Sequence, residues 1–122
     1  MWWFVPHLFA PWRMVYIGTG SSSECIFCTM PAEKNDVENL LIHRGSTCFV
    51  MMNRFPYNPG HLMVAPYRHV GGYDELTEEE LLELNRLTQR SLRVLRELMS
   101  PQGFNLGVNT GKVAGAGTDG HV

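Results

Sequence analysis

The apolar residues change period along the chain, and each change predicts an element. The stretch ENLLIHRGSTCFVMMN carries two β-prone runs on either side of Gly45-Ser46, which predicts a hairpin. FPYNPG reads as a turn cluster, and the almost wholly apolar HLMVAPY as a third strand. Helical spacing then takes over. Leu81, Leu84, Leu87, Leu92, Leu95 and Leu98 recur on one face, Thr77 and Glu80 form a capping box ahead of them, and Ser100-Pro101 stops the run. GFNLGVN alternates apolar with small or polar groups as a half-buried strand does. After a glycine-rich run, Gly120-His121-Val122 begins another strand. The order β-β-β-α-β-loop-β predicts an α+β fold, an antiparallel sheet with one long helix packed on it.

Length and composition narrow this picture. With 122 residues, 44% of them apolar and 18% charged, the chain is sized for one soluble globular domain with its own core. The aromatic segment MWWFVPHLFAPWRMVYI is interrupted by Pro6, His7, Pro11 and Arg13 and has no basic stretch before it. It is expected to pack on the domain rather than act as a secretory signal, which places the protein in the cytoplasm. GTGSSS links this arm to the rest, so residues 1–23 are read as arm and linker and residues 24–122 as the domain. A formal net charge of −2 supplies no field to gather nucleic acid or an anionic membrane, and neither is an expected partner.

Two short patterns carry candidate chemistry. Cys25 and Cys28 form a C-x-x-C pair that suits structural zinc, a thioredoxin-like redox pair, or two small core residues. The redox reading needs a βαβ unit, which the pattern lacks. Zinc needs two more ligands, and His7, His43, His61, His69, His121 and Cys48 are the candidates. The second pattern is GKVAGAGTDGH. Its glycines Gly111, Gly115, Gly117 and Gly120 permit close backbone approach, so the loop can converge N–H groups on an anion or simply turn between strands. It matches neither the Walker A nor the Rossmann glycine pattern. Asn53 and Asn109 each end a predicted strand, where an amide can bond a ligand or close the ladder.

Taken together, CIFC, NRFPYNPGHLMVAPYRHV, GFNLGVNTG and a loop running into GHV resemble the histidine triad (HIT) family of nucleotide hydrolases and transferases. The likeness runs from about residue 24 to the end of the sequence. The segment LFAPWRMVYI adds a resemblance to the bacterial branch described as diadenosine polyphosphate hydrolases or phosphorylases. The family signature is H-φ-H-φ-H-φ-φ, with φ apolar, and His121-Val122 matches its first two positions.

The resemblance implies a structural zinc held by Cys25, Cys28, His69 and His121, with Cys48 left to the core. Four such ligands close the tetrahedron and leave no open position. It also implies that Asn53 meets the ribose hydroxyls and that His61 packs beside the nucleophile. Asn109 and the loop Gly115, Ala116, Gly117 and Thr118 would hold the phosphate. The implied reaction is attack of the middle triad histidine on the α-phosphorus of a dinucleoside polyphosphate, with water or phosphate resolving a nucleotidyl-histidine. A nucleoside phosphoramidase and a non-catalytic nucleotide-binding protein are the alternatives. The nucleophile's position follows Val122, so these 122 residues are expected to bind nucleotide weakly and turn nothing over. Finally, Leu81, Leu82, Leu84, Leu87, Leu92, Val94, Leu95, Leu98 and Met99 cover more than one helix face, which together with the resemblance implies a homodimer.

Overall fold

A computed structural model describes residues 25–122 apart from 55, 57, 58, 112 and 114–119. The aromatic arm and the loop from Gly115 to Thr118 lie outside the described residues.

The predicted hairpin and third strand form one antiparallel sheet in the order β1 (Leu41–Arg44), β2 (Cys48–Met52), β3 (Leu62–Pro66). The turn between β1 and β2 closes with Gly45 N donating to the Cys48 carbonyl at 2.8 Å. A Cβ at Gly45 would lie 2.6 Å from Glu83 Oε1 and 2.7 Å from the Cys48 oxygen, so glycine is what the turn admits. The Glu83 carboxylate accepts from the backbone N–H groups of Ser46, Thr47 and Cys48 at 3.1, 2.6 and 2.7 Å, fastening the turn to the long helix.

The strand β2 is apolar throughout because both its faces are covered. On one face Phe49 and Met51 join Leu41 and Ala65, with Phe27 and Met30 packed over them. On the other, Cys48 and Val50 meet Leu87, Leu84, Leu62 and Val64. Phe27 and Met30 belong to α1 (Ile26–Glu33), whereas Leu84 and Leu87 belong to α3 (Glu78–Met99). The sheet therefore lies between two helices, and the core is two apolar layers sharing one strand.

The helix α3 matches its sequence signals closely. Thr77 Oγ1 accepts from Glu80 N at 3.2 Å and Thr77 N donates to Glu80 Oε1 at 2.9 Å, completing the capping box. Ser100, at φ 47°, closes the far end just before Pro101. Its 22 residues span roughly 33 Å, enough to run along the whole sheet.

Three features differ from the sequence expectation. Two short helices, α1 and α2 (Asp36–Asn39), precede the hairpin where none is predicted, and Glu38 and Asn39 belong to α2 rather than to a strand. The helix α1 contains Pro31 and has neither a side-chain cap nor acidic residues in its first turn, so its local signals are weak. What holds it is burial of Phe27 and Met30 against the sheet. Residues 103–109 form no strand. Leu106 and Val108 are exposed, and Phe104 lies under the Arg96 guanidinium, 5.4 Å from its ring centre. Residues 120–122 likewise form no strand, and Val122 N donates a single backbone bond to the Val70 carbonyl at 2.7 Å. Alternation says which face a strand would bury, but a strand exists only where a neighbour completes its ladder. Among the described residues these segments have no such neighbour. No helix among them is long and apolar enough to cross a membrane.

Candidate functional site

Three separate segments deliver four metal-ligating side chains to one place. Cys25 is the residue that opens α1 and Cys28 lies one turn inside it, where the spacing of three puts both thiols on one side. Cys28 N and Thr29 N donate to the Cys25 carbonyl at 3.1 and 3.0 Å, so the pair is set by the first helical turn. Docking of α1 through Phe27 then brings the thiols against His69, just past β3, and against His121. The Phe27 ring lies 5.3 Å from the His121 ring, and His69 meets His121 edge-on at 5.2 Å.

The donor atoms converge. His121 Nδ1 lies 3.3 Å from Cys25 Sγ, 3.5 Å from Cys28 Sγ and 3.3 Å from His69 Nδ1, and His69 Nδ1 lies 3.3 Å from Cys28 Sγ. One atom from each of the four residues falls within 4.8 Å of all the others. A tetrahedron with metal–sulfur bonds of about 2.3 Å and metal–nitrogen bonds of about 2.0–2.1 Å has S···N edges of about 3.5 Å and an N···N edge of about 3.3 Å. Three S···N edges and the N···N edge of the cluster have those lengths, and the four residues could hold a metal ion.

The surroundings prepare the ligand atoms. His121 is buried at 3% exposure, and its Nε2–H donates to the Pro66 carbonyl at 2.7 Å, which leaves the Nδ1 lone pair facing the cluster. Burial holds the His121 imidazole below its ordinary pKa, reinforced by the neighbouring His69 and opposed by the Pro66 carbonyl. Burial and the adjacent Cys25 push the Cys28 thiol up. A metal would thus meet a neutral His121 imidazole and displace the proton of the Cys28 thiol.

The other end of β3 carries different residues. Asn53 and His61 flank the last rung of the β2–β3 ladder, where Met52 pairs with Leu62. Asn53 Nδ2 lies 3.3 Å from His61 Nδ1, and Asn53 N donates to the His61 carbonyl at 3.0 Å. Gly60, at φ +82°, brings this turn onto the C-terminal half of α3, where a Cβ would lie 3.1 Å from Met99 Sδ. The rise of β3 puts roughly 17 Å between His61 and the Pro66 end. Of the other expected ligand groups, Asn109 is exposed and in no strand, and Gly115, Ala116, Gly117 and Thr118 lie outside the described residues. Cys48 is fully buried in the core, and His43 is exposed on β1, apart from the cluster.

Several residues around the cluster escape sequence reasoning. Gly120, read from the sequence as a glycine of an anion-binding or turning loop, instead lets the His69 ring approach, since a Cβ there would lie 2.8 Å from His69 Nε2. The Pro66 contribution is a backbone oxygen and has no sequence signature. Glu80 announces itself only as a helix cap. In the fold its carboxylate also takes Arg68 in a fork, from Nε to Oε2 at 3.1 Å and from Nη2 to Oε1 at 2.9 Å. Arg68 and the Thr77 N–H hold the Glu80 carboxyl down to about 2.

An antiparallel sheet flanked by a long capped helix, with a Cys/His cluster at one end, defines the class as an α+β domain with a candidate metal centre. The HIT domain family model matches residues 34–119. A protein of Mycobacterium tuberculosis named AP-4-A phosphorylase is 37% identical over 123 aligned positions, covering 94% of this chain and 63% of that protein. A Dictyostelium discoideum protein named bis(5'-adenosyl)-triphosphatase is 36% identical over 67 positions, covering 55% of this chain and 45% of its own. Among solved structures, a member of the HIT family from Bacillus subtilis superposes with a TM-score of 0.71 at 23% identity, covering 81% of this chain and 69% of that one. The chain belongs to the HIT family, and it spans less than two thirds of the length of the mycobacterial relative.

Proposed function

We propose that the protein cleaves dinucleoside polyphosphates, as a nucleotidyl hydrolase or phosphorylase that passes through a nucleotidyl-histidine. The observation that carries this reading is the position of His121. This first triad residue is tied to the end of β3 through the Pro66 carbonyl, with the next residue, Val122, bonded to Val70, while Asn53 and His61 sit together at the strand's other end. One rigid strand thus sets the distance between the triad and the polar groups that meet the nucleotide. The names of the mycobacterial and Dictyostelium relatives support the substrate class.

In the proposed reaction an imidazole nitrogen of the middle triad histidine forms a bond to the α-phosphorus as the bond to the polyphosphate leaving group breaks. Water attacking the same phosphorus returns the histidine and gives a nucleoside monophosphate, whereas inorganic phosphate gives the diphosphate. Asn53 hydrogen-bonds the ribose, His61 packs beside the nucleophile, and Asn109 with Gly115, Ala116, Gly117 and Thr118 holds the phosphate oxygens as charge develops. We assign the metal as zinc on Cys25, Cys28, His69 and His121. With all four positions filled it acts as a cross-link between α1, the segment after β3 and the triad.

The test measures product release by the full-length gene product. Diadenosine tetraphosphate split to AMP and ATP without phosphate marks a hydrolase, and ADP with ATP in its presence a phosphorylase. Consumption of adenosine phosphoramidate in preference to either marks the phosphoramidase, and binding without turnover the non-catalytic reading. Failure to release product from diadenosine tetraphosphate, with or without phosphate, overturns the assignment.

We further propose a homodimer. Leu82, Val94, Leu98, Met99, Leu106 and Val108 are exposed large apolar residues along α3 and the segment after it, more than a solvated helix presents. Sedimentation showing only monomer at micromolar concentration would refute it. A cytoplasmic location fits the three free thiols, which an oxidising compartment would tend to pair. Fractionation of cells that tracks the protein to the membrane or the medium contradicts it.

A further inference from the structure

We propose that Glu80 is a positioning residue for the metal ligand His69, acting through Arg68. The proposal rests on the metal reading of the Cys/His cluster. His69 lies beyond the end of β3, where the ladder no longer fixes the backbone. The last strand-like bond before it is Tyr67 N to the Thr47 carbonyl at 2.9 Å. Something other than the sheet must therefore hold the ligand in place.

Arg68 supplies that hold. Its guanidinium makes three hydrogen bonds, two to the Glu80 carboxylate at 2.9 and 3.1 Å and one from Nη2 to the Glu75 carbonyl at 3.0 Å. Half-exposed arginines on exposed carboxylates contribute little, but here the partner side chain is only 6% exposed and is itself immobilised. Glu80 Oε1 accepts from both Arg68 Nη2 and Thr77 N, so the atom that caps α3 also grips the residue before His69. The rigid N-terminus of α3 is thereby connected to the metal centre. From the opposite side the His69 ring is walled by Gly120, with its Nδ1 left toward Cys28 and His121.

A purely structural role would make Glu80 a helix cap and nothing more, and three variants separate the two. Glu80→Gln keeps a residue that can serve in a capping box while removing the charged fork. Arg68→Met leaves the box untouched. Thr77→Ala removes the side-chain half of the box, the bond from Glu80 N, and leaves the fork. Zinc affinity is read by competition with a chromophoric chelator, and stability by thermal melting of the zinc-loaded protein. Arg68→Met and Glu80→Gln are expected to weaken zinc binding roughly ten-fold, as loss of groups that orient metal ligands does. Thr77→Ala lowers the melting temperature and leaves zinc affinity unchanged. Arg68→Lys restores part of the affinity, since a lysine keeps the charge and loses the fork. Zinc affinity that is unchanged in Arg68→Met, or that falls in all three variants in step with stability, overturns the proposal. If the unaltered protein takes up no zinc, the metal reading fails instead. The imidazole NMR signals of His69 then decide the positioning role, shifting and broadening in Arg68→Met but not in Thr77→Ala. Unchanged signals in both overturn it.

Discussion

The two ends of β3 are built on opposite plans. At the Pro66 end, a backbone carbonyl, two helix-borne thiols, two imidazoles and a glycine wall hold one another within hydrogen-bond or van der Waals distance. At the Leu62 end, among the described residues, Asn53 N donates to the His61 carbonyl at 3.0 Å and the two side chains lie 3.3 Å apart. The first end is assembled from residues as far apart in sequence as Cys25 and His121, so it cannot exist in the unfolded chain, and whatever binds there stabilises the fold. The second is assembled across one turn of the sheet and comes preformed with the ladder. It presents an amide and an imidazole, groups that exchange partners with a ligand without dismantling a core. Under the proposed function, one strand would support an end that holds the structure and an end that meets the substrate.

The sharpest way to break this contrast is to remove a thiol. Cys28→Ser should abolish metal uptake and cost about 4 kcal/mol or more, a fall in melting temperature of roughly 15 °C. A melting curve that does not move on mutation or chelation would show that the Pro66 end is not what holds the domain.

Gly120→Ala should come next. The added methyl has no room beside His69 Nε2, at 2.8 Å, and the cost of overpacking is about 1–3 kcal/mol with a tenfold or greater loss of metal affinity. Gly103→Ala, where nothing lies within 4 Å, is the control and should be close to neutral.

Acid should undo the Pro66 end in a defined order. Because burial lowers the His121 pKa from 6.5, the folded metal-free state holds fewer protons than the unfolded one across this window. Stability is then full above about 6.5 and falls as pH drops through the depressed value. Glu80, lowered from 4.5 to about 2, contributes stability that is present above 4.5 and is lost as pH falls toward 2. Urea midpoints of chelator-treated protein should show both phases, and Glu80→Gln should remove only the lower one.

The smallest effect on stability should come from the Leu62 end. Asn53→Ala and His61→Ala are expected to change stability by less than about 1 kcal/mol while weakening nucleotide binding about tenfold. Large destabilisation with unchanged nucleotide affinity would reverse the contrast between the two ends.

Local information determined much of this protein. The hairpin about Gly45, the apolar β3 and the capped α3 each follow from a period or a cap within a few residues, because their stabilising contacts are either inside the element or on one predictable face. The motif CIFC and the histidines of RHV and GHV carry the four residues of the cluster, and their likeness to a known family suggests the grouping before any distance is known. Only the tertiary structure decided the rest. The helix α1 exists because Phe27 and Met30 find the sheet, despite an internal Pro31 and no cap. Residues 103–109 alternate like a strand yet form none, since a ladder needs a second strand that the pattern alone cannot supply. The cluster's distances, the Pro66 carbonyl that orients His121 and the double use of Glu80 all arise from side chains meeting across long stretches of sequence. Such meetings are set by how the layers pack, and no local pattern encodes them.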